Sequence, residues 1–124
     1  GLAEEIAKFK PLVGVAGNCD NYDLRFTHPM HRFFECEGMK VLMTHIGGYP
    51  GRYDVRIRQQ LMQNPPDLFI SGHSHILKVL YDKNLSLLHI NPGAAGIQGW
   101  QQVRTLVRFT VEGKNFKDLE VIEL

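Results

Sequence analysis

Four side chains that can bind metal ions stand just behind short apolar segments of this sequence. The segments are VGVA, VLM and LFI, and the polar residues that follow them are Asn18, His45, His73 and His75. Neutral imidazole nitrogens and amide oxygens are ligands for divalent first-row metals such as Zn, Mn, Fe and Ni. These residue types therefore indicate a site for transition-metal ions.

The spacing of these residues suggests how they could meet. Each apolar segment is predicted to be a buried strand, over residues 12–16, 39–44 and 67–70. In open α/β sheets, ligands bind beyond the carboxyl ends of the strands. Glycines beside the polar residues allow close backbone approach and expose amide donors to an anion such as phosphate. The pair His73 and His75, one residue apart, can place two imidazoles near neighbouring metals.

Each motif also has a purely structural interpretation. A lone GNxD is typical of a turn, since Asn and Asp favour turns, and a lone histidine after a strand is more often a hydrogen-bonded structural residue. The GHSH motif is more specific. The occurrence of all three motifs behind apolar strands favours the metal site over the structural interpretation.

The rest of the chain supplies helices and hairpins around these strands. Helical spacing predicts a helix over residues 2–9 that Pro11 ends, and a second helix over residues 52–62. Turn residues predict hairpins around 37–38, 82–84 and 112–114, and residues 20–32 are predicted to form a loop. The pattern is typical of a single strand-rich α/β or α+β domain over residues 1–124.

The remaining histidines are assigned smaller roles. His28 and His31 lie in the proline-bearing loop and are expected to be exposed and without function. His89 is expected to be a packed, hydrogen-bonded histidine, and support of the metal site from behind its ligands is the alternative.

Three residues near the Gly47-Gly48 segment are interpreted as the start of a solvated helix, with substrate contact as the alternative. These residues are Tyr49, Arg52 and Tyr53. Cys19 and Cys36 are expected to be half-buried apolar side chains rather than a disulfide or a metal pair.

Composition limits the class of partner. The 124 residues carry 14 basic and 13 acidic side chains, for a net charge of +1, and 44% are hydrophobic. This balance makes nucleic acid an unlikely partner, and no segment approaches the length of a membrane span. The sequence is therefore expected to form a folded cytoplasmic protein without a membrane partner, and it allows a homo-oligomer.

The motifs GNCD (17–20), THIGG (44–48), GHSH (72–75) and NPGAA (91–95) resemble those of the calcineurin-like metallophosphoesterases. They are most similar to the small prokaryotic phosphodiesterase branch, whose fold is related to Vps29. The resemblance implies a two-sheet αββα sandwich with a dinuclear metal centre. It implies that Asn18, His45 and His73 bind one metal and His75 the other, and that Asp20 orients the ligands without binding metal.

The sequence departs from the family pattern in two places. The Asp-x-His and Gly-Asp motifs that open the family are absent from these residues. The resemblance therefore implies an N-terminally truncated domain, its C-terminal two-thirds, which is expected to be inactive alone. Cys19 stands where many members have a histidine thought to assist the leaving group, which favours diesters with good leaving groups over monoesters.

The expected activity is hydrolysis of a small phosphodiester by a hydroxide that bridges two divalent metals (Mn, Ni, Fe or Zn). The alternative is a Vps29-like interaction scaffold with a vestigial metal site. Retention of all four ligands argues against it, because a scaffold has no need for unpaired imidazoles at strand ends. A nuclease would share the metal chemistry but would need a basic groove, which the balanced charge does not indicate.

Overall fold

The computed structural model describes residues 1–21 and 28–124. The described residues form helices α1 and α2 and strands β1 to β9. In chain order these are α1 (Leu2–Phe9), β1 (His31–Cys36), β2 (Met39–Thr44), β3 (Gly48–Tyr49), β4 (Arg52–Tyr53), α2 (Val55–Gln63), β5 (Leu68–Ile70), β6 (Lys78–Asp82), β7 (Leu87–Asn91), β8 (Thr105–Glu112) and β9 (Asn115–Glu123). None of these helices is long and apolar enough to cross a membrane.

The centre of the fold is a five-stranded sheet with the order β1-β2-β5-β7-β6. Its three middle strands, β2, β5 and β7, are parallel, and the two edge strands run antiparallel to their neighbours. Parallel neighbours require a crossover connection. Helix α2 provides one between β2 and β5, and the chain passes through edge strand β6 between β5 and β7. The carboxyl ends of the three middle strands therefore lie at one edge of the sheet.

Helix α2 packs against one face of this sheet. Its side chains Ile57 and Leu61 stand four residues apart, on one side of the helix, and both are fully buried. They share a core cluster with Leu42, Phe69 and Leu87 of the three middle strands. The helix begins behind Asp54, whose carboxylate accepts the backbone N–H of Arg56 at 3.0 Å.

The β8–β9 hairpin covers the other face of the sheet. Strand β8 alternates, so that half-buried Val107, Phe109 and Val111 face the sheet. Their partners in the second core cluster are the buried side chains Met39, Val41, Leu68 and Ile90. The described residues thus form a helix layer and two sheet layers, and the predicted mixed α/β fold is confirmed.

Most of the predicted elements are present. Helix α1 matches the prediction for residues 2–9, and the three predicted hairpins are β1–β2, β6–β7 and β8–β9. The first hairpin turns at Glu37 and Gly38, both with positive φ, of 52° and 79°. Positive φ at both central positions matches the twist of the flanking strands.

The structure departs from the predicted elements in three places. Residues 12–16 are irregular rather than a strand, and only Ala16 among them is buried. Ala16 donates its N–H to the carbonyl of Pro29 at 2.9 Å. This hydrogen bond holds the segment at one residue, but it is not part of a ladder of hydrogen bonds between paired strands. The helix predicted from residue 52 begins at Val55, because residues 52–53 pair with β3 as strand β4. The predicted loop 20–32 gives its last two residues to β1, and its residues 22–27 lie outside the described residues.

Several side chains differ in burial from the sequence prediction. Tyr53 is buried rather than solvated, and its hydroxyl donates to the buried carboxylate of Asp82 at 2.6 Å. Cys19 and Cys36 are both free thiols and are exposed rather than half-buried. His31 is exposed as predicted, whereas His28 is half-buried.

His89 is the fully buried histidine of strand β7, as the packed interpretation predicts. Its Nδ1–H donates to the carbonyl of Phe69 at 3.2 Å, and its ring lies 5.4 Å from the Phe69 ring. Its Nε2 has no hydrogen-bond partner among residues 1–21 and 28–124. Burial therefore lowers the pKa of His89 from 6.5 to about 4, although the Phe69 carbonyl opposes this shift.

Acid should destabilise the fold through this histidine. In the unfolded chain the ring takes up a proton below its usual pKa of 6.5, whereas in the folded protein it does so only near pH 4. Stability is therefore retained above pH 6.5 and lost as the pH falls toward 4. Between pH 7.5 and 5 we expect a loss of about 2 kcal/mol in the free energy of unfolding from this residue.

The measurement is urea unfolding at both pH values in the wild-type protein and in His89→Phe, which removes the titrating group. The interpretation fails if the two proteins lose the same stability over this range.

Candidate metal centre

The carboxyl ends of β2 and β5 bring His45 and His73 to the same edge of the sheet. The two strands pair in parallel with Met43 opposite Ile70. The pairing continues past both strands, because Gly72 donates its N–H to the carbonyl of His45 at 2.8 Å. His45 is half-buried and His73 is exposed.

Three of the predicted ligand side chains are in direct contact. The Oδ1 atom of Asn18 lies 2.8 Å from Nε2 of His45, and Nδ1 of His73 lies 3.2 Å from the same nitrogen. The two imidazole rings meet edge to face, with 5.1 Å between their centroids. The structure therefore brings Asn18, His45 and His73 together as the sequence predicts.

Asn18 reaches this cluster from a turn rather than from a strand. Asp20 closes the turn, since its carboxylate accepts the N–H of Gly17 at 2.6 Å and its own N–H donates to the carbonyl of Gly17 at 3.2 Å. A Cβ atom at Gly17 would lie 3.5 Å from the His45 ring. The carboxylate of Asp20 thus shapes the turn that holds Asn18 beside His45.

The His73–His75 segment is conformationally strained. Both histidines have positive φ, 66° and 62°, a region that residues with a Cβ rarely adopt outside sites that hold them there. Buried Asn91, the last residue of β7, supports the segment: its Nδ2 donates to the carbonyl of Gly72 at 3.1 Å and to Oγ of Ser74 at 3.0 Å.

His75 faces a different neighbour from the other ligands. Its Nδ1 lies 2.9 Å from Oε1 of Gln101. It remains within electrostatic reach of His45, because its charge lowers the pKa of the His45 ring. His75 is thus within electrostatic reach of His45, while its ring makes its hydrogen bond to Gln101.

Electrostatics favours neutral imidazole at the centre of the cluster. Burial lowers the pKa of His45 below 6.5, and the neighbouring His73 and His75 rings lower it further. The carboxylate of Asp20 opposes this effect. A neutral ring can offer a lone pair to a cation, so this environment suits a metal ligand.

Two separations at Nε2 of His45 are near the spacing of ligand atoms around one metal ion. Ligands that lie ~2.0–2.1 Å from a tetrahedral zinc ion are roughly 3.3 Å from one another. The separations of 2.8 and 3.2 Å among Asn18, His45 and His73 are close to that value. Within residues 1–21 and 28–124, no group of three or more His, Cys, Asp or Glu side chains is arranged so that it could hold a metal ion. The donor set consists of two imidazoles and an amide.

The glycines after His45 have a structural role. A Cβ atom at Gly47 would lie 2.5 Å from Cζ of Phe69, and the Gly47 carbonyl accepts the N–H of Asp54 at 2.9 Å. Gly47 therefore permits the His45 segment to pass close over the core and ties it to the start of α2.

Sequence reasoning missed two residues of this site, Asn91 and Gln101. The position of Asn91 could have been noticed in the sequence, because it stands at the carboxyl end of an apolar segment. That segment is β7, the third parallel strand of the same sheet. Gln101 had no such signal, since it lies on an irregular segment whose path over His75 depends on the tertiary fold.

Removal of the Asn91 side chain should weaken the strained segment. In Asn91→Ala the carbonyl of Gly72 and the hydroxyl of Ser74 lose their hydrogen bonds to this buried amide, so we expect the free energy of unfolding to fall by about 1–3 kcal/mol. Urea denaturation measures this loss. The matched control is Asn84→Ala in the exposed β6–β7 turn, where a change below about 0.5 kcal/mol is expected. Equal losses in the two variants would contradict the supporting role of Asn91.

Comparisons with known proteins bear on the family and the fold of the chain. Residues 2–114 match the family described as the calcineurin-like phosphoesterase superfamily domain. A Thermotoga maritima protein solved by NMR is 23% identical, with a TM-score of 0.69, over 99% of this chain and 73% of that one. An archaeal phosphodiesterase is 21% identical, with a TM-score of 0.65, over 96% of this chain and 74% of that one.

Vps29 from Entamoeba histolytica, solved in complex with Zn²⁺, is 14% identical with a TM-score of 0.69, over 98% of this chain and 73% of that one. At these identities the likeness concerns the fold. The comparison with curated proteins gave no match. Because the family match extends over residues 2–114 and the solved structures share the fold, the chain belongs to the calcineurin-like phosphoesterase superfamily.

Proposed function

We propose that this protein is a metal-dependent phosphoesterase that hydrolyses small phosphodiesters. The supporting observation is the contact among Oδ1 of Asn18, Nε2 of His45 and Nδ1 of His73, at 2.8 and 3.2 Å. These atoms would hold one divalent metal (Mn, Ni, Fe or Zn), and His75 would hold a second. Family membership supports the same reaction class.

In this proposal some residues of the chain would bind the metals and others hold those ligands in position. When bound, the two metals would supply Lewis-acid activation of water and of the phosphoryl group. Asn18 and the three histidines hold the metals, and Asp20 holds the turn that carries Asn18. Asn91 holds the backbone that carries His73 and His75.

Cys19 bears on the choice of substrate. The thiol is exposed and stands next to Asn18. A thiol is a poor proton donor to a departing alkoxide, and no described base activates it as a nucleophile. We therefore propose diesters with good leaving groups, rather than monoesters, as the substrates.

The ligand set limits what residues 1–124 can do alone. Asn18, His45, His73 and His75 are neutral when they bind metal, so two dications would be held together without any ligand charge. Mutual repulsion between the ions would then oppose binding of the second one. We propose that carboxylate ligands in addition to these four residues are needed for a complete dinuclear centre.

Residues 1–124 should therefore bind divalent metal weakly and should not hydrolyse phosphodiesters. Isothermal titration with Mn²⁺ or Zn²⁺ measures the affinity and stoichiometry. We expect weak binding that His45→Ala reduces further, with His31→Ala as the control. Tight, stoichiometric binding of two ions by residues 1–124 would contradict the proposal.

An interaction scaffold is the second candidate. Its support is the fold shared with Vps29 from Entamoeba histolytica, at a TM-score of 0.69. A scaffold needs the sheet sandwich but does not need Asn18, His45 and His73 to converge. The convergence of these side chains therefore favours the enzyme.

Hydrolysis decides between the two candidates. The assay uses an aryl phosphodiester with added Mn²⁺ and a polypeptide in which the carboxylate ligands are present. We expect His73→Ala and His75→Ala each to lower kcat/KM by at least about 100-fold, since a metal contributes several kcal/mol to the transition state. His31→Ala should retain activity, because that ring is exposed and hydrogen-bonds to Thr44 away from the cluster. Full activity in both ligand variants would remove these residues from the reaction.

A further inference from the structure

Gln101 joins the segment of residues 96–101 to the His75 ring. Its Nε2 donates to the carbonyl of Gly96 at 2.8 Å and to the carbonyl of Gln98 at 2.6 Å. Its Oε1 lies 2.9 Å from Nδ1 of His75. All of these contacts come from one side-chain amide, which therefore folds the segment back on itself and fixes it to the histidine.

The two carbonyl contacts determine which way the amide faces. An NH₂ group has two hydrogens to donate, and here two carbonyl oxygens accept them. The opposite orientation would put the amide oxygen against the carbonyl oxygens of Gly96 and Gln98, with no hydrogen between them. Oε1 must therefore face His75. Because an amide oxygen only accepts, Nδ1 of His75 must carry a proton, and in the neutral ring Nε2 then carries the lone pair.

Gly99 shows that the backbone is shaped around this contact. Its φ is 116°, a conformation that essentially only glycine adopts. A Cβ atom at this position would lie 2.1 Å from Nδ1 of His75 and 2.4 Å from Oε1 of Gln101. The chain thus passes directly over the hydrogen bond, and any side chain at residue 99 would push the two partners apart.

We propose that Gln101 is a positioning residue that holds His75 in the Nδ1–H tautomer and thereby leaves its Nε2 lone pair available to a metal ion. A hydrogen bond to the far nitrogen of a ligating histidine fixes its tautomer and orientation and raises its basicity. The assignment of the tautomer rests on the contacts of Gln101 alone. Its importance for metal binding rests on the proposed function, in which His75 is a ligand.

The tautomer is measured by ¹⁵N–¹H NMR of the His75 ring in the metal-free protein near pH 8. We expect a protonated Nδ1 and an unprotonated Nε2 in the wild type. In Gln101→Ala and in Gly99→Ala the ring should shift toward the Nε2–H form, because the acceptor is removed in the first and displaced in the second. Gln102→Ala is the matched control on the neighbouring exposed residue and should match the wild type.

Two NMR results would overturn the proposal. One is a wild-type His75 ring protonated at Nε2, and the other is a Gln101→Ala ring indistinguishable from that of the wild type. The spectra also show directly whether each variant is folded. If Gly99→Ala does not fold, Gln101→Ala, which places no side chain at a positive-φ position, decides the outcome.

A metal titration separates this proposal from the proposed function. With Co²⁺ followed by visible absorption, Gln101→Ala should weaken binding about 10–100-fold relative to Gln102→Ala, and His75→Ala should weaken it at least as much. Weaker binding in His75→Ala with no change in Gln101→Ala would overturn the positioning role. Unchanged binding in His75→Ala would instead remove His75 from the ligands of the proposed function, and the NMR result on the tautomer would still stand.

Discussion

The parallel pairing of β2, β5 and β7 is the constraint on which the site depends. Each of these strands ends at the same edge of the sheet. Side chains at the strand ends therefore lie close together, although they are far apart in sequence. β2 delivers His45, β5 delivers the strained segment with His73, and β7 delivers the asparagine that supports it. A shift of one strand by one residue would exchange the side chains that face α2 with those that face the β8–β9 hairpin. The same apolar packing that sets the register therefore also sets the positions of the ligands.

Backbone strain at the site is balanced by hydrogen bonds from outside it. His73 and His75 have positive φ, which costs about 1–3 kcal/mol for each residue when nothing compensates. Asn91 holds the Gly72 carbonyl just before the first and the Ser74 hydroxyl between them, and Gln101 holds the ring of the second. Both supporting residues present amide groups, which neither gain nor lose a proton near neutral pH and so keep their hydrogen-bonding capacity. The ligand geometry therefore does not depend on the protonation of its supports.

The fold was predictable where a local signal and the tertiary structure agree. The hairpin at Glu37-Gly38 and the helix of residues 2–9 have such signals in their turn residues and periodicity. Residues 12–16 were misassigned because an apolar run predicts burial but cannot tell whether a partner strand lies beside it. Tyr53 was misassigned because its place in the core depends on Asp82, which is distant in sequence and accepts its hydroxyl.

The candidate site, like the fold, was predictable in part from the sequence. The ligand types and their positions after apolar runs identified Asn18, His45 and His73, which the structure brings into contact. Asn18 lies on a turn rather than behind the strand that was predicted before it. It still lies beside His45, because Asp20 closes that turn. Gln101 could not be found, since only the folded path of residues 96–101 places its amide on His75.

The exposure of Trp100 has a consequence for spectroscopy of this protein. Trp100 is the single tryptophan of the chain, and it stands 98% exposed between Gly99 and Gln101. Its indole is in water when the protein is folded and would be in water when it is unfolded. Intrinsic tryptophan emission is therefore nearly blind to loss of the hydrophobic core, and it reports on the surface beside His75 instead.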